Sequence, residues 1–150
     1  MKKFLLSTIT IICCIPSFAI TTNAAEIDET LSNAVIYSEG LISSYRVSIS
    51  ASGKTLYLSG STCCTSQMGS VGITDIQIQY SSDNANWHNY TNASDLLKSN
   101  SRQYTASNSN IGTVIGGYYY RVTCKHYAKE SGLFGSSESI SNTSNSVWIS

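Results

Sequence analysis

Gly116-Gly117-Tyr118-Tyr119-Tyr120-Arg121-Val122-Thr123-Cys124-Lys125-His126-Tyr127 is the stretch that decides the fold class. Split by parity, Tyr118, Tyr120, Val122, Cys124 and His126 fall on one side. Tyr119, Arg121, Thr123, Lys125 and Tyr127 fall on the other. Successive side chains of a strand point to opposite faces, and all the charge lies in the second set, so the first set faces a core. The stretch therefore reads as the central strand of a β protein.

Other segments repeat the pattern. Over 45–51, Tyr45, Val47, Ile49 and Ala51 alternate with Arg46, Ser48 and Ser50, and Ser52-Gly53-Lys54 supplies turn chemistry. Over 55–64, Leu56, Leu58, Gly60, Thr62 and Cys64 share a face, with Cys63 on the opposite one. Over 73–80, Ile76, Ile78 and Tyr80 point in, and Asp75, Gln77 and Gln79 point out. The Asp- and Asn-rich stretch 81–86 is a tight connection, because these residues tolerate left-handed backbone and bond their own turns. A short strand over 87–90, a weak one over 102–106 and a last region over 139–150 complete the set. Residues 65–72, 107–110 and 128–137 read as loops, the last with exposed Leu133 and Phe134. One helical turn is expected over 95–98, capped by Asn92 or Ser94. Residues 26–44 form an N-terminal arm or a short first strand over 34–37, broken by Gly40. Many short strands without helical periodicity predict an all-β, antiparallel two-sheet sandwich of about seven strands over 45–150.

The chain opens Met1-Lys2-Lys3 and is then uncharged to Ala25. A charged start, an apolar middle and a small-residue exit predict a Sec-type signal peptide over 1–25, cleaved after Ala24 or Ala25. The protein is then secreted, and touches a membrane only through its leader. What remains, about 125 residues, is one domain by length. The whole chain has zero net charge, and losing Lys2 and Lys3 leaves a slight negative excess with no basic patch. Nucleic acid is therefore not an expected partner.

Three cysteines remain beyond the leader, an odd number. Cys64 and Cys124 both sit on core faces, so parity predicts a Cys64–Cys124 disulfide. It would close a loop of about 60 residues and contribute roughly 4 kcal/mol. A one-residue bulge would instead select Cys63–Cys124. On the first reading Cys63 is a free thiol or links two copies into a dimer. Cys63, Cys64, Cys124 and His126 fit no zinc spacing, and neither metal nor cofactor is expected.

The last third resembles a fibronectin type III module. Tyr118-x-Tyr120-x-Val122-x-Cys124 is similar to that family's penultimate strand, and Ile76 to Asp83 followed by Trp87 looks like its third strand and turn. The resemblance implies a seven-strand Greek-key sandwich with Tyr118 or Tyr120 as the corner tyrosine. A cysteine pair between the second and penultimate strands is more like an immunoglobulin domain. The whole chain also resembles small secreted proteins of Gram-positive bacteria grouped as a domain of unknown function. The shared features are the leader, one β domain and the run Gly-Tyr-Tyr-Tyr-Arg-Val…His-Tyr-Ala-Lys. That resemblance implies no activity.

Catalytic patterns are thin. His88 and His126 are the histidines, and no nucleophile elbow or zinc-protease helix accompanies them. Asp75, Asp83, Asp95, Glu130 and Glu138 read as surface carboxylates, not as a hydrolytic pair. The aromatics give the better lead. Trp87, Tyr90, Tyr119, Tyr127 and Trp148, with Arg121, form the candidate recognition surface, since rings among adaptable Ser and Asn suit binding. The expected function is a secreted, non-catalytic binding module for a protein or glycan at the cell surface. A secreted effector or antimicrobial protein is the alternative, and behind it a small secreted hydrolase.

Overall fold

The structure, a computed structural model, describes residues 36–37 and 40–150. The leader expected over 1–25 and most of the arm over 26–44 lie outside the described residues. Within them the chain is all-β, with no helix. Eight strands follow in order: β1 (Ile36–Tyr37), β2 (Ile42–Ser52), β3 (Thr55–Ser81), β4 (His88–Asn92), β5 (Leu96–Thr113), β6 (Tyr118–Lys129), β7 (Ser137–Thr143) and β8 (Val147–Ile149). Every pairing between them is antiparallel.

β3, 27 residues long, organises the rest. Its first half pairs with β2 and its second half with β6. Because β5 pairs with both halves, β2 and β6 share the opposite edge, one beyond the other. β4 and β5 run in succession along the remaining edge. β7 and β8 pair with β6. The sequence predicts two sheets, but hydrogen bonding joins all eight strands into one. That sheet curls into a half-barrel, bringing β2 against β6, β7 and β8. Asn145 fastens the closure: its Oδ1 accepts from the Ile49 amide at 3.0 Å and its Nδ2 donates to the Ile49 carbonyl at 3.1 Å.

The curl explains where local reading fails. Residues 65–72, expected as a loop, are strand, and β3 turns the corner without ending. The bend is absorbed by a register shift against β5 between Cys63 and Met68. Gly72 sits inside this run because nothing larger fits. A Cβ there would collide with the Leu96 carbonyl oxygen, and Leu97 covers the spot. The helical turn expected over 95–98 is instead the start of β5, and the polar loop over 107–110 lies within it. Asn100 and Asn108 have φ of +50° and +49°, and Asn108 falls where the pairing of β5 with β3 slips between Leu58 and Gly60. Pairing to a neighbouring strand outweighs the turn preference of Ser and Asn here.

The interior holds two apolar groups. The larger includes Leu56, Leu58, Ile76, Ile78, Tyr120, Val122 and Cys124. The smaller includes Ile42, Tyr45, Cys64, Met68, Val71 and Ala128. The Tyr120 hydroxyl donates to the Ile115 carbonyl at 2.8 Å. Tyr118 packs edge-on against Tyr80 at 5.3 Å.

The cysteine pairing is corrected by the register. Cys63, Cys64 and Cys124 are all free thiols. Parity is right, since Cys64 and Cys124 are both buried, but they belong to different apolar groups. Between those groups Thr62 Oγ1 lies 2.8 Å from His126 Nδ1. Cys64 stands two residues to one side of that contact, in the group that holds Ala128; Cys124 stands two residues to the other. Two strand residues span about 6.6 Å, so each thiol lies about that far from the contact, on opposite sides of it. A disulfide needs Cα atoms within about 7 Å. The alternative fails on direction: Cys63 is half-buried on the other face, opposite Ser44 and Gln103.

Candidate binding face

The outer face of β6 and its neighbours is assembled by register. Tyr119 lies opposite Trp148 of β8 and Ser81 of β3. Arg121 lies opposite Gln79, which faces Asn89 of β4. Thr123 lies opposite Gln77 and Thr143, and Gln77 faces Asn92. Cross-strand partners share a face, so these residues form successive rows with strands about 4.8 Å apart.

Two aromatic contacts mark one end. The Arg121 guanidinium sits 4.3 Å from the centre of the Trp87 ring. Its Nε donates to Gln79 Oε1 at 2.9 Å, and Gln79 Nε2 donates onward to Asn89 Oδ1 at 3.2 Å. Tyr119 and Trp148 meet at 4.8 Å with 62° between their rings. Trp148 remains 51% exposed, which leaves ring surface open to a ligand. Trp87 is aimed by the preceding turn. There Asp83 accepts from the amides of Ala85 at 3.0 Å and Asn86 at 2.8 Å, and from the Ser81 hydroxyl at 2.7 Å. The Asn86 amide, then Ser81, hold the Asp83 carboxyl well below the usual carboxylate range.

The other end is a groove of about 500 Å³. It opens where β3 carries one extra residue against β6, between Thr74 and Gln77. Asp75 occupies the bulge with φ +51°, a conformation Asp tolerates. Its amide donates to Asp95 Oδ1 at 2.9 Å, and its carboxylate meets Lys125 Nζ at 2.9 Å. That hydrogen bond and the Asp75 charge raise the Lys125 pKa. Gln77, Asn92, Thr123, Ser141 and Thr143 line the groove together with Ile76, Ala93 and Cys124.

Of the recognition residues expected from the sequence, Trp87, Tyr119, Arg121 and Trp148 come together. Tyr90 does not join them. It packs edge-on against Tyr80 at 6.3 Å and Tyr120 at 5.7 Å, beside a separate recess of about 350 Å³ shared with Tyr118 and Ile115. Tyr127 shares the outer face of β6 but stands six residues from Arg121, about 20 Å along the strand. It is half-buried between Gly72 and Ser139. Of the cysteines, Cys124 belongs to the lining of the groove, as part of its buried wall. Burial pushes the Cys124 thiol up to about 12 and the Cys64 thiol up to about 11.

Sequence reasoning missed the groove. Outward Gln77 and Gln79 were readable from alternation, but the extra residue at Asp75 leaves no local mark. The histidines lie elsewhere. His126 is fully buried and His88 packs against Tyr80 at 5.5 Å. Among the described residues no three His, Cys, Asp or Glu side chains gather as a metal site would require.

The chain matches no protein-family profile, no curated protein and no solved structure.

Proposed function

We propose that the protein is a secreted, non-catalytic binding module whose contact surface is the outer face of β3, β4, β6 and β8. Its ligand is a protein or glycan at a cell surface. The observation that carries this is the meeting of Trp87, Tyr119, Arg121 and Trp148, drawn from separate segments onto one open face. Aromatics and arginine are the residues that binding surfaces concentrate. Secretion rests on the leader over 1–25, and the likeness to small secreted proteins of Gram-positive bacteria agrees with it.

The fold reading that goes with this function is a fibronectin type III-like sandwich. In support, β2, β3 and β5 pair in the order of one layer, and β4, β3, β6 and β7 in the order of the other. The Tyr120 corner bond lies where that family places one. The layers remain joined because β3 and the β4–β5 run cross the corner together.

The test is direct. Fluorescently labelled protein is incubated with Gram-positive cells, beside the double variant Trp148→Ala, Arg121→Ala. Saturable binding that falls at least tenfold in the variant supports the reading. Equal binding by both proteins, or none by either, overturns it.

A further inference from the structure

Resting on that binding reading, we infer that the ligand is an uncharged, extended glycan, lying along β6 from the Tyr119–Trp148 pair to the groove beside Asp75 and Lys125.

Charge points this way first. Lys125 is neutralised by Asp75 at 2.9 Å. Arg121 is engaged by the Trp87 ring and by Gln79. Asp95 holds the Asp75 amide. Arg121 is thus the one cation of this face without a carboxylate partner among the described residues, and it stands singly, not in the cluster that a phosphate or an acidic chain would need. A ligand without charge needs no such cluster.

Hydrogen-bonding chemistry points the same way. Beside apolar Ile76 and Ala93 and the Cys124 thiol, the groove is lined by amides and hydroxyls, among them Gln77, Asn92, Thr123, Ser141 and Thr143. Each offers both a donor and an acceptor. A sugar ring carries adjacent hydroxyls that are also both, so each contact can be made in either sense. Ser141 and Thr143 are exposed and Thr123 is half-buried, leaving the hydroxyls within reach. The Arg121–Gln79–Asn89 chain holds the middle of the face in place before a ligand arrives, which lowers the cost of ordering on binding.

The distribution of apolar surface argues against a protein partner here. The fully buried centre of a protein interface is apolar. Among the described residues the exposed large aliphatic side chains, with Phe134, are Leu97, Ile115 and Leu133, and none lines the groove. What the face offers is aromatic rings at one end and, at the other, polar side chains around the small apolar patch of Ile76 and Ala93. From Tyr119 to Lys125 is about 20 Å, so the ligand spans several linked rings and is not a single sugar.

The experiment uses soluble polysaccharides in affinity electrophoresis, neutral (dextran, mannan, xylan, mixed-linkage glucan) and acidic (heparin, polygalacturonate). The intact protein is compared with Trp148→Ala, Gln77→Ala and, as a control away from the face, Leu133→Ser. Cells treated with periodate or with protease are tested in parallel. The expected result is retardation by at least one neutral polymer, unchanged by raised salt, reduced at least tenfold in Trp148→Ala and Gln77→Ala, and kept in Leu133→Ser. Periodate, not protease, removes the sites on cells. Cell binding that needs Trp148 but is destroyed by protease and spared by periodate overturns the glycan inference and leaves the binding module standing. Retardation only by acidic polymers overturns it too. Binding that survives both face variants overturns the module reading itself.

Discussion

Thr62 and His126, 64 residues apart in the chain, meet in the interior with Oγ1 and Nδ1 separated by 2.8 Å. Thr62 Oγ1 also donates to the Gly72 carbonyl at 2.8 Å, so its one proton is committed. It must therefore accept from His126, which places the ring proton on Nδ1. Nε2 is left as an acceptor and faces Asn142 Nδ2 at 3.3 Å. Tyr45 stacks beside the ring at 4.9 Å. The imidazole is held neutral, in one tautomer, with both nitrogens engaged.

Acid should loosen the fold through this residue. Burial pushes the His126 pKa down to about 4, against an ordinary value of 6.5. Between those values the unfolded chain binds the proton and the folded one does not. Its contribution to stability is thus complete above pH 6.5, falls as pH drops from 6.5 to 4, and is constant below. The loss approaches about 3 kcal/mol. Urea midpoints followed across pH should fall more steeply for the natural protein than for His126→Gln. Parallel slopes would show that His126 does not drive the change.

Thr62→Val keeps the shape but removes the hydroxyl. Nδ1 of His126 and the Gly72 carbonyl then lose a partner in a dry interior. We expect a cost of roughly 1–3 kcal/mol. Thr62→Ser should recover most of it. Chemical denaturation of the three proteins decides this. A valine variant as stable as the natural protein would mean that the bond contributes nothing net.

Tyr120→Phe removes the bond to Ile115 and leaves the ring in place. A loss of about 1 kcal/mol is expected. Tyr118→Phe, whose ring packs on Tyr80 at the edge of the core, should cost less. Thermal melts of the pair test this, and the reverse order would mean that the Tyr120–Ile115 bond contributes nothing net.

The cysteines should react unequally. Cys63 is half-buried, whereas Cys64 and Cys124 are buried with thiol pKa values of about 11 and about 12. Of Cys63, Cys64 and Cys124, native alkylation should label Cys63 alone, and unfolding should release the other two without any reductant. Any covalent dimer should vanish in Cys63→Ser. Recovery of a Cys64–Cys124 peptide from non-reduced protein would contradict the register described above.

Much of this was legible in the chain alone. Alternation over 45–51, 55–64, 73–80 and 118–127 told which side chains enter the core, because the pleat repeats every two residues wherever a strand forms. Hence Cys64, Cys124 and His126 were placed inside, and Arg121, Gln77 and Gln79 outside, without coordinates. Parity carries no information about how far one strand slides past another. That offset came from long-range pairing, and it set Thr62 rather than Cys64 beside His126. Pairing likewise carried β3 through 65–72 and β5 through 107–110, where local residues favour turns. It placed the bulge at Asp75 that opens the groove, and moved Tyr90 away from Trp87, Tyr119, Arg121 and Trp148. The sequence by itself determined the class of fold and the facing of each strand. Only the tertiary structure decided which residues meet, since register and curl are properties of strands together and not of any one segment.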